Sequence, residues 1–336
     1  MASPVRRPET INKLRFAADA ALAMLAGMQL DVFTPLQAGP KTAEEIARAI
    51  GVGPARLRLL LYSLAAAGLL NEQDGHFSNT PEASHFLVKG IPSYMGDRHA
   101  TLFSTRWAWG LKTAESIRTG IPQAKIDFSN SSTEQLEAFL RRINAGSVAA
   151  TRALLASHDF SSIKTLADVG CGGAGVAITI TQDCAQLEAT AIDLPQITPI
   201  TRKIVNEEGA MDRVKVLTAD VLNGPLPGSY DAAILRALIQ VFSPEDARLA
   251  VKNIGAAIKP GGKIYIIGQI LDDSRQSPLA AVGFNLNFIN NFDAGESYTE
   301  QEYREWLCEA GFVDIERASY MLAGEHGLMT ARKRDS

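Results

Sequence analysis

The sequence predicts an α/β chain in which helical segments come first and a mostly parallel sheet follows. From Ile163 onward, short apolar strands alternate with helical segments, as in an open sheet covered on both faces. Before that point the pattern is helical and is interrupted by one hairpin signal, Asp74-Gly75. A chain of 336 residues has room for two domains of ordinary size.

Composition narrows the functional classes. Hydrophobic residues make up 46% and charged residues 21% of the chain, as in a globular protein with a large core. The net charge of −4 argues against nucleic acid or an anionic membrane as partner, and no apolar run is long enough to span a membrane. Since Met1–Glu9 lacks the apolar segment of a signal peptide, we expect a cytoplasmic protein. Cys171, Cys184 and Cys308 are isolated and the five histidines are scattered, so we expect no metal.

The N-terminal segment has the element order of a winged helix. A long helix over Leu14–Leu36 is apolar on more than one face, so it must be buried by its own domain or by a partner chain. The elements that follow are a helix opened by the capping box Thr42-Ala43-Glu44-Glu45, a helix over Ala55–Ala67, strands over Leu69–Glu72 and His76–Ser78, and a helix start at Thr80-Pro81.

A winged helix often binds DNA, so a ligand-sensing regulator is one alternative. Residues 1–100 contain ten Lys or Arg and nine Asp or Glu, and the helix over Ala55–Ala67 is apolar, with Arg56 and Arg58 at one end. Because a phosphate-binding face needs clustered cations, this helix favours a packing role.

The segment 101–158 is mostly helical. Phe139, Ile143 and Ser147 recur every fourth position and share one helix face, which indicates either a core stripe or a face laid against a ligand. Trp107 and Trp109 leave two interpretations open in the same way, a substrate pocket or core packing.

The C-terminal half is organised around a glycine turn. The apolar strand Leu166–Val169 leads into glycines at 170, 172 and 175 and then into a helix start, whose free N–H groups point at whatever lies there. Glycines let the backbone bend sharply and approach a ligand that side chains would block. The spacing alone is a weak signal, because a tight turn in an ordinary α/β domain has the same pattern.

Acidic residues at the ends of three consecutive strands strengthen the signal. Asp168 lies in the first strand, Asp193 follows the strand Leu187–Ile192, and Asp220 follows the strand Val214–Leu217. Open α/β sheets bind ligands at the carboxyl ends of their strands, where a carboxylate can hold ribose hydroxyls. Three such acids favour a nucleoside site.

Asp168 distinguishes between nucleoside cofactors. A dinucleotide places its pyrophosphate at the helix N-terminus, where a preceding anion is unfavourable. A carboxylate before the first glycine suits a ligand with positive charge, such as the ammonium and sulfonium groups of S-adenosylmethionine. The methyl donor is therefore favoured over NAD, which remains the cofactor of an alternative oxidoreductase.

The remaining pattern completes the sheet. The predicted elements are strands over Ala232–Leu235 and Lys263–Ile267, a helix from Ser243-Pro244 that stops at Lys259-Pro260-Gly261-Gly262, a last helix opened by the capping box at Thr299–Glu302, and a closing hairpin of Val313–Tyr320 and Leu328–Lys333.

Together these features resemble the plant and bacterial small-molecule O-methyltransferases, which join a winged-helix dimerisation domain to a class I S-adenosylmethionine domain. The resemblance covers nearly the whole chain. The motifs that carry it are Gln29-Leu30-Asp31-Val32-Phe33, Asp168-Val169-Gly170-Cys171-Gly172, Asp193-Leu194-Pro195, Lys259-Pro260-Gly261-Gly262 and Glu309-Ala310-Gly311-Phe312. It implies a winged-helix dimerisation domain over 1–100, a helical linker lining the substrate pocket over 101–158, and a Rossmann-like class I methyltransferase domain with a seven-stranded, mostly parallel sheet over 159–336.

The resemblance also implies a homodimer, a small-molecule acceptor and a set of cofactor contacts. Gly170 and its neighbours would hold the methionine end, Asp193 the ribose, and Asp220 with Val221 the adenine. The cofactor-binding residues implied are Asp168, Gly170, Gly172, Asp193, Leu194, Asp220, Val221, Arg236, Ser147 and Phe139. Ala174 stands where the family usually has a glycine.

The sequence departs from the family where the proton is removed from the acceptor. Gln240 stands in place of the usual catalytic His, and an amide cannot act as a base at neutral pH. The acids that orient that His align with Gly268 and Ser297, although Glu296 is adjacent. A general base contributes a factor of about 10²–10⁴, whereas orientation can supply effective molarities of about 10⁵–10⁸ M, so methyl transfer is not excluded.

Other residues are candidates for the acceptor site. His99 is a possible replacement base, and a surface or capping His is the alternative. Asn287 and Phe288 lie in the apolar, amide-rich stretch Phe284–Phe292, which could orient a flat, polar-edged substrate or form loop caps.

The functional hypothesis is a homodimeric S-adenosylmethionine-dependent methyltransferase acting on a small, largely apolar metabolite, with Gln240 as a positioning residue. A C- or N-methyltransferase is one alternative. Another is an enzyme of the same fold that binds the cofactor without methylating and promotes rearrangement, hydroxylation or decarboxylation.

Overall fold

The computed structural model describes residues 7–125, 127–128, 130–320 and 326–335, apart from the side chains of residues 97–99, 101–102, 319–320 and 326. The chain divides into two compact units, Met1–Ala108 and Trp109–Ser336. No helix of the described residues is long and apolar enough to cross a membrane.

The first unit contains helices packed with a small antiparallel sheet. Its elements are α1 (Glu9–Gln29), a 3-10 turn (Thr34–Ala38), β1 (Lys41–Thr42), α2 (Ala43–Ile50), α3 (Pro54–Ala66), β2 (Leu70–Gln73), β3 (His76–Asn79), α4 (Pro81–Phe86) and α5 (Gly96–Gly110), within which the boundary between the units falls. The sheet order is β1-β3-β2. The predicted capping box at Thr42 and the predicted turn at Asp74-Gly75, where both residues have positive φ, are confirmed.

The first helix ends earlier than the predicted helix over Leu14–Leu36. It ends at Gln29 because Asp31 adopts a φ of 58°, in the left-handed region that breaks a helix, and Thr34 donates a hydrogen bond back to the Asp31 carboxylate. Its apolar faces are only partly covered within the chain. Ile11, Leu14, Phe16 and Leu22 are all more than half exposed.

The second unit places helices on both faces of a sheet. After α5 its elements are α6 (Thr113–Thr119), α7 (Thr133–Ser157), β4 (Thr165–Val169), α8 (Gly175–Asp183), β5 (Glu188–Asp193), α9 (Thr198–Glu207), β6 (Val214–Thr218), β7 (Tyr230–Arg236), a 3-10 turn (Ile239–Val241), α10 (Pro244–Ala256), β8 (Ile258–Gly268), β9 (Ile270–Leu271), α11 (Leu279–Asn291), β10 (Tyr298–Thr299), α12 (Glu300–Glu309), β11 (Phe312–Tyr320) and β12 (His326–Lys333).

Within the described residues, seven strands form one sheet in the order β11-β12-β8-β7-β4-β5-β6. The strands β8-β7-β4-β5-β6 are parallel, and β12 pairs antiparallel with both β8 and β11. The predicted mostly parallel sheet and closing hairpin are confirmed. Strand β8 starts five residues before the prediction, since Lys259-Pro260-Gly261-Gly262 belongs to the strand.

The strand order reverses between β4 and β7, and ligands of open α/β sheets bind in the crevice at such a point, at the carboxyl ends. The opposite end is held by Asp231, near the start of β7. Its carboxylate accepts hydrogen bonds from the backbone N–H groups of Lys164 and Thr165 at 3.0 and 2.8 Å, and from Lys259 Nζ at 2.8 Å. These contacts join the start of β7 to the starts of β4 and β8, while the parallel pairing of β4 with β5 brings Asp168 and Asp193 to one edge.

Candidate active site

The glycine turn joins β4 to α8 through left-handed backbone. Gly170 and Gly172 have φ values of 69° and 52°. The N–H groups of Gly170 and Cys171 both donate to the carbonyl of Ile192, at 2.9 and 3.1 Å, which ties the turn to the end of β5. Ala174 has a φ of 56°, a conformation that disfavours side chains and explains why the resembling family usually has glycine there.

Asp168 is almost completely buried behind this turn. Its carboxylate accepts one hydrogen bond at 3.0 Å from the N–H of Ala177, in the first turn of α8. Burial raises the pKa of Asp168 to about 7 in spite of that bond, and the nearby charge of Asp193 adds to the increase. A cation placed beside Asp168 would therefore favour the ionised form of its carboxyl group.

Asp193, the last residue of β5, connects the end of its strand to the turn. Its two carboxylate oxygens accept hydrogen bonds from the N–H groups of Gly172 and Leu194, both at 2.8 Å. Burial raises the pKa of Asp193 as well, against the effect of these bonds. The structure thus brings Asp168, Gly170, Gly172, Asp193 and Leu194 together at one edge of the sheet.

Helix α7 packs over the turn. A Cβ atom on Gly172 would lie 3.3 Å from Leu140, and one on Gly175 would lie 2.3 Å from Oδ1 of Asn144. The hydroxyl of Ser147, on the same helix, accepts a hydrogen bond at 3.2 Å from Arg236, the last residue of β7. Both Ser147 and Arg236 were singled out from the sequence, and they meet beside the turn.

Phe139 and Ile143, the other two residues of the predicted helix face, contact the glycine turn less directly than Ser147 does. Phe139 packs edge to face against Phe128 with ring centroids 5.6 Å apart, and Ile143 comes within 3.9 Å of a Cβ placed on Gly172. Leu140 and Asn144 of the same helix, and Leu238 after β7, also lie against the turn.

Asp220 and Val221 follow β6. The Asp220 carboxylate accepts hydrogen bonds from the N–H of Leu222 at 2.9 Å and from the side chain of Asn223 at 2.8 Å, which closes a local turn. Val221 is buried, and its carbonyl accepts a hydrogen bond from Asn253 of α10 at 2.7 Å. The loop is thereby fixed next to the strand that carries Asp193.

Gln240 lies in the 3-10 turn after β7 and is 3% exposed. Its Nε2 donates a hydrogen bond at 2.9 Å to the backbone carbonyl of Gln269. The hydroxyl of Ser297 donates to the carbonyl of Ala281, and Glu296 forms an ion pair with Arg275 at 3.2 Å. Neither of these two side chains therefore takes the place of an acid that would orient a base at position 240.

The predicted acceptor residues lie in different parts of the molecule. The stretch Phe284–Phe292 belongs mainly to α11, and one of its amides does cap a loop, since Asn285 Oδ1 accepts a hydrogen bond at 2.8 Å from the N–H of Ser297. Asn287 and Phe288 are buried on that helix, where Phe288 packs between the rings of Phe284 and Phe292. Trp107 belongs to the first unit and stacks on Phe103 at 5.8 Å. The side chain of His99 lies outside the described residues.

Two residues of the site carried no sequence signal. Thr201, on α9, donates a hydrogen bond at 2.7 Å to the carbonyl of Gly172. The Oδ1 atom of Asn144 is buried beside the turn without a hydrogen-bond partner. A threonine or asparagine inside a helix is common, so only the packing of α7 and α9 on the turn identifies them. Among the described residues no cluster of three or more acidic, His or Cys side chains could hold a metal ion.

Known proteins are similar to the chain along its length. A family model described as an O-methyltransferase domain matches residues 118–313, and one described as an O-methyltransferase dimerisation domain matches residues 15–89. The 3-hydroxy-5-methyl-1-naphthoate 3-O-methyltransferase of Streptomyces sahachiroi is 28% identical over 92% of this chain and 91% of its own. The tetracenomycin polyketide synthesis 8-O-methyl transferase TcmO of Streptomyces glaucescens is 28% identical over 98% of both chains.

The fold is shared with solved structures. The apo form of the S-adenosylmethionine-dependent methyltransferase SibL superposes with a TM-score of 0.81 at 26% identity, covering 98% of this chain and 100% of that one.

Proposed function

Because the chain belongs to the O-methyltransferase family, we propose that it transfers the methyl group of S-adenosylmethionine to a hydroxyl of a small aromatic metabolite. Family membership makes it an S-adenosylmethionine-dependent methyltransferase, with S-adenosylhomocysteine as the product of the cofactor. The aromatic acceptor is the finer part of the proposal. Its support is that two relatives are named for a hydroxynaphthoate and for a tetracenomycin polyketide.

The observation that carries the proposal is the pair of acids at the glycine turn. Asp168 and Asp193 lie at adjacent strand ends, and burial raises the pKa of both carboxyl groups. A bound sulfonium and ammonium would offset this concentrated negative charge, so the residues fit the cofactor. The bound cofactor supplies a methyl group already activated for displacement.

The other cofactor contacts are proposals as well. Gly170 and Gly172 would accommodate the methionine end beneath Ser147 and Arg236. Asp193 with Leu194 would bind the ribose. Asp220 with Val221, and Phe139 from α7, are the remaining residues that the sequence predicts to bind the cofactor.

The acceptor must lose its proton without help from residue 240. The Gln240 amide does not titrate, and its Nε2 group donates a hydrogen bond to the Gln269 carbonyl. The hydroxyl of an enol or phenol that is conjugated with a carbonyl, without a hydrogen bond to it, has a pKa closer to neutral than a simple phenol, so orientation toward the methyl group is the main contribution required of the protein. The relatives favour methylation over the alternative in which the cofactor is bound and not consumed. Asn287, Phe288, Trp107 and His99 remain predicted acceptor-site residues.

We also propose a homodimer formed through the N-terminal domain. The dimerisation-domain match runs over residues 15–89, from within α1 to just past α4, and α1 exposes the apolar side chains of Ile11, Leu14, Phe16 and Leu22, which a second copy would bury. Three further statements stay predictions from the sequence: the domain limits 1–100, 101–158 and 159–336, the lack of nucleic acid and membrane partners, and a cytoplasmic location.

The test is a methylation assay with a chemically graded acceptor panel. The purified chain is incubated with S-adenosylmethionine and with hydroxynaphthoates and related phenols that differ in hydroxyl pKa, and both products are measured by mass spectrometry. We expect one equivalent of S-adenosylhomocysteine per methylated product, with faster turnover for the more acidic hydroxyls. S-adenosylhomocysteine formed without any methylated product, or methylation at carbon or nitrogen, would contradict the proposal.

A further inference from the structure

Gln240 is held in one orientation at the carboxyl edge of the sheet. Its side chain is almost fully buried, and the 2.9 Å hydrogen bond from Nε2 to the Gln269 carbonyl anchors the amide just beyond the end of β8. A buried amide that has one fixed partner presents its remaining acceptor in a fixed direction.

Gly268, the last residue of β8, makes room for that amide. A Cβ atom on Gly268 would lie 2.1 Å from Nε2, 2.4 Å from Oε1 and 2.6 Å from Cδ of Gln240. The φ of Gly268 lies outside the left-handed region, so the backbone conformation there does not require glycine. The volume of Gln240 is therefore what requires position 268 to lack a side chain.

A second glycine confines the backbone of the same turn. Gly295 has a φ of 100°, and a Cβ there would lie 2.2 Å from the Gln240 carbonyl oxygen. The Tyr298 hydroxyl donates a hydrogen bond at 2.5 Å to the carbonyl of Phe242, two residues after Gln240. The turn is thus held through its backbone on one side, and the side chain occupies the space above Gly268 on the other.

We propose that Gly268 is a positioning residue and that positions 240 and 268 form a matched pair. The absence of a side chain at 268 lets the Gln240 amide occupy the space beside the end of β8, where it orients the methyl acceptor in place of a titrating base. The statement that Gln240 orients the methyl acceptor rests on the proposed function. The physical coupling of the two positions stands without it.

A double-mutant cycle tests the pair. In Gly268→Ala the new methyl group meets the end of the Gln240 side chain, which must swing away and give up its bond to Gln269. We expect acceptor kcat/KM to fall at least tenfold while the affinity for S-adenosylhomocysteine stays within twofold. Gln240→Ala should lose a similar factor, and the double variant should lose no more than the larger single loss, because the second change removes nothing further. Gly283→Ala is the matched control, since a Cβ there meets nothing within 4 Å.

The pH dependence separates positioning from proton transfer. Profiles of kcat/KM against pH should be parallel for the wild type and Gln240→Ala, because an amide does not titrate. Two results would overturn the proposal: wild-type turnover in Gly268→Ala, or loss factors of the single variants that multiply in the double. If Gly268→Ala does not fold, recovery of folding in the double variant supports the pair, and failure of both variants to fold contradicts it. If no acceptor is found, the thermal unfolding midpoints of the wild type, the two single variants and the double variant are compared instead. Changes in midpoint that simply add in the double variant would contradict the coupling.

Discussion

Asp168 and Asp231 lie at opposite ends of the neighbouring strands β4 and β7 and are partnered in opposite ways. Asp231 accepts hydrogen bonds from two backbone N–H groups, the Thr165 hydroxyl and the Lys259 ammonium. Although partial burial alone would raise the pKa of Asp231, these bonds lower it to about 2. Asp168 is fully buried, has one N–H partner, and has a pKa of about 7.

The difference separates a structural acid from one suited to a ligand. Every contact of Asp231 favours its charged form within the protein, so its charge stabilises the fold. At Asp168 burial outweighs both the Ala177 hydrogen bond and the positive charge of Arg236, and at Asp193 burial outweighs two backbone hydrogen bonds. An acid whose ionised form is disfavoured in the free protein is stabilised when a cationic ligand binds, as expected at a functional site.

The largest expected effect is on cofactor affinity. Asp193→Ala removes the carboxylate proposed to hold the ribose and releases the N–H of Gly172. Since hydrogen bonds to a charged group contribute about 1.5–3 kcal/mol, the affinity for S-adenosylhomocysteine should fall about 100-fold in a calorimetric titration. Asp231→Asn, at the other end of the sheet, should bind the same ligand within twofold. Equal losses in both variants would remove the distinction between the two ends.

The next effect is on stability. The pKa of Asp231 is about 2 in the folded chain and near 3.8 in the unfolded chain, so its charge stabilises the fold above pH 4 and this contribution is lost as the pH falls through 2. Asp231→Asn should lower the free energy of unfolding at pH 7 by about 2 kcal/mol. Denaturant titrations of both proteins check this value. An unchanged midpoint would show that the lysine and threonine contacts contribute nothing.

The smallest effect is a pH dependence of binding. Asp168 is half protonated near pH 7 in the free protein, and a bound cation favours its ionised form. Affinity for S-adenosylmethionine should therefore rise about tenfold from pH 6 to pH 7.5, as the cost of ionising the carboxyl group disappears. Titrations at several pH values measure it, and Asp168→Asn should flatten the curve. An affinity that falls over this range would contradict the assignment.

The sequence predicted the parts of the site that depend on chain order. Acids at strand ends are visible because apolar strands alternate with helices, and parallel strands must bring their carboxyl ends to one edge. Asp168 and Asp193 could therefore be placed together. The capping boxes at Thr42 and Thr299 are similarly local and are confirmed.

Contacts between residues far apart in the chain could not be predicted. The resemblance to the family relates position 268 to position 240, but only the structure shows that the Gln240 amide fills the space a side chain at 268 would occupy. Asn290 shows the same limit. Its side chain donates to Thr113 and accepts from Ser116 of α6, which makes an amide-rich stretch part of a helix packed against another helix. From the sequence, the amides of this stretch indicated either loop caps or a substrate pocket.

The most direct test of the account is Asp168→Asn, measured for both affinity and stability. The asparagine can still accept the Ala177 hydrogen bond but carries no charge. Because the folded pKa of about 7 exceeds the unfolded value of 3.8, the cost of Asp168 to the free energy of unfolding grows from about pH 4 and is complete above pH 7, so the variant should be more stable at pH 8, by about 4 kcal/mol. It should also bind S-adenosylmethionine about 100-fold more weakly. A variant that binds the cofactor normally, or that loses stability as Asp231→Asn does, would contradict the central claim.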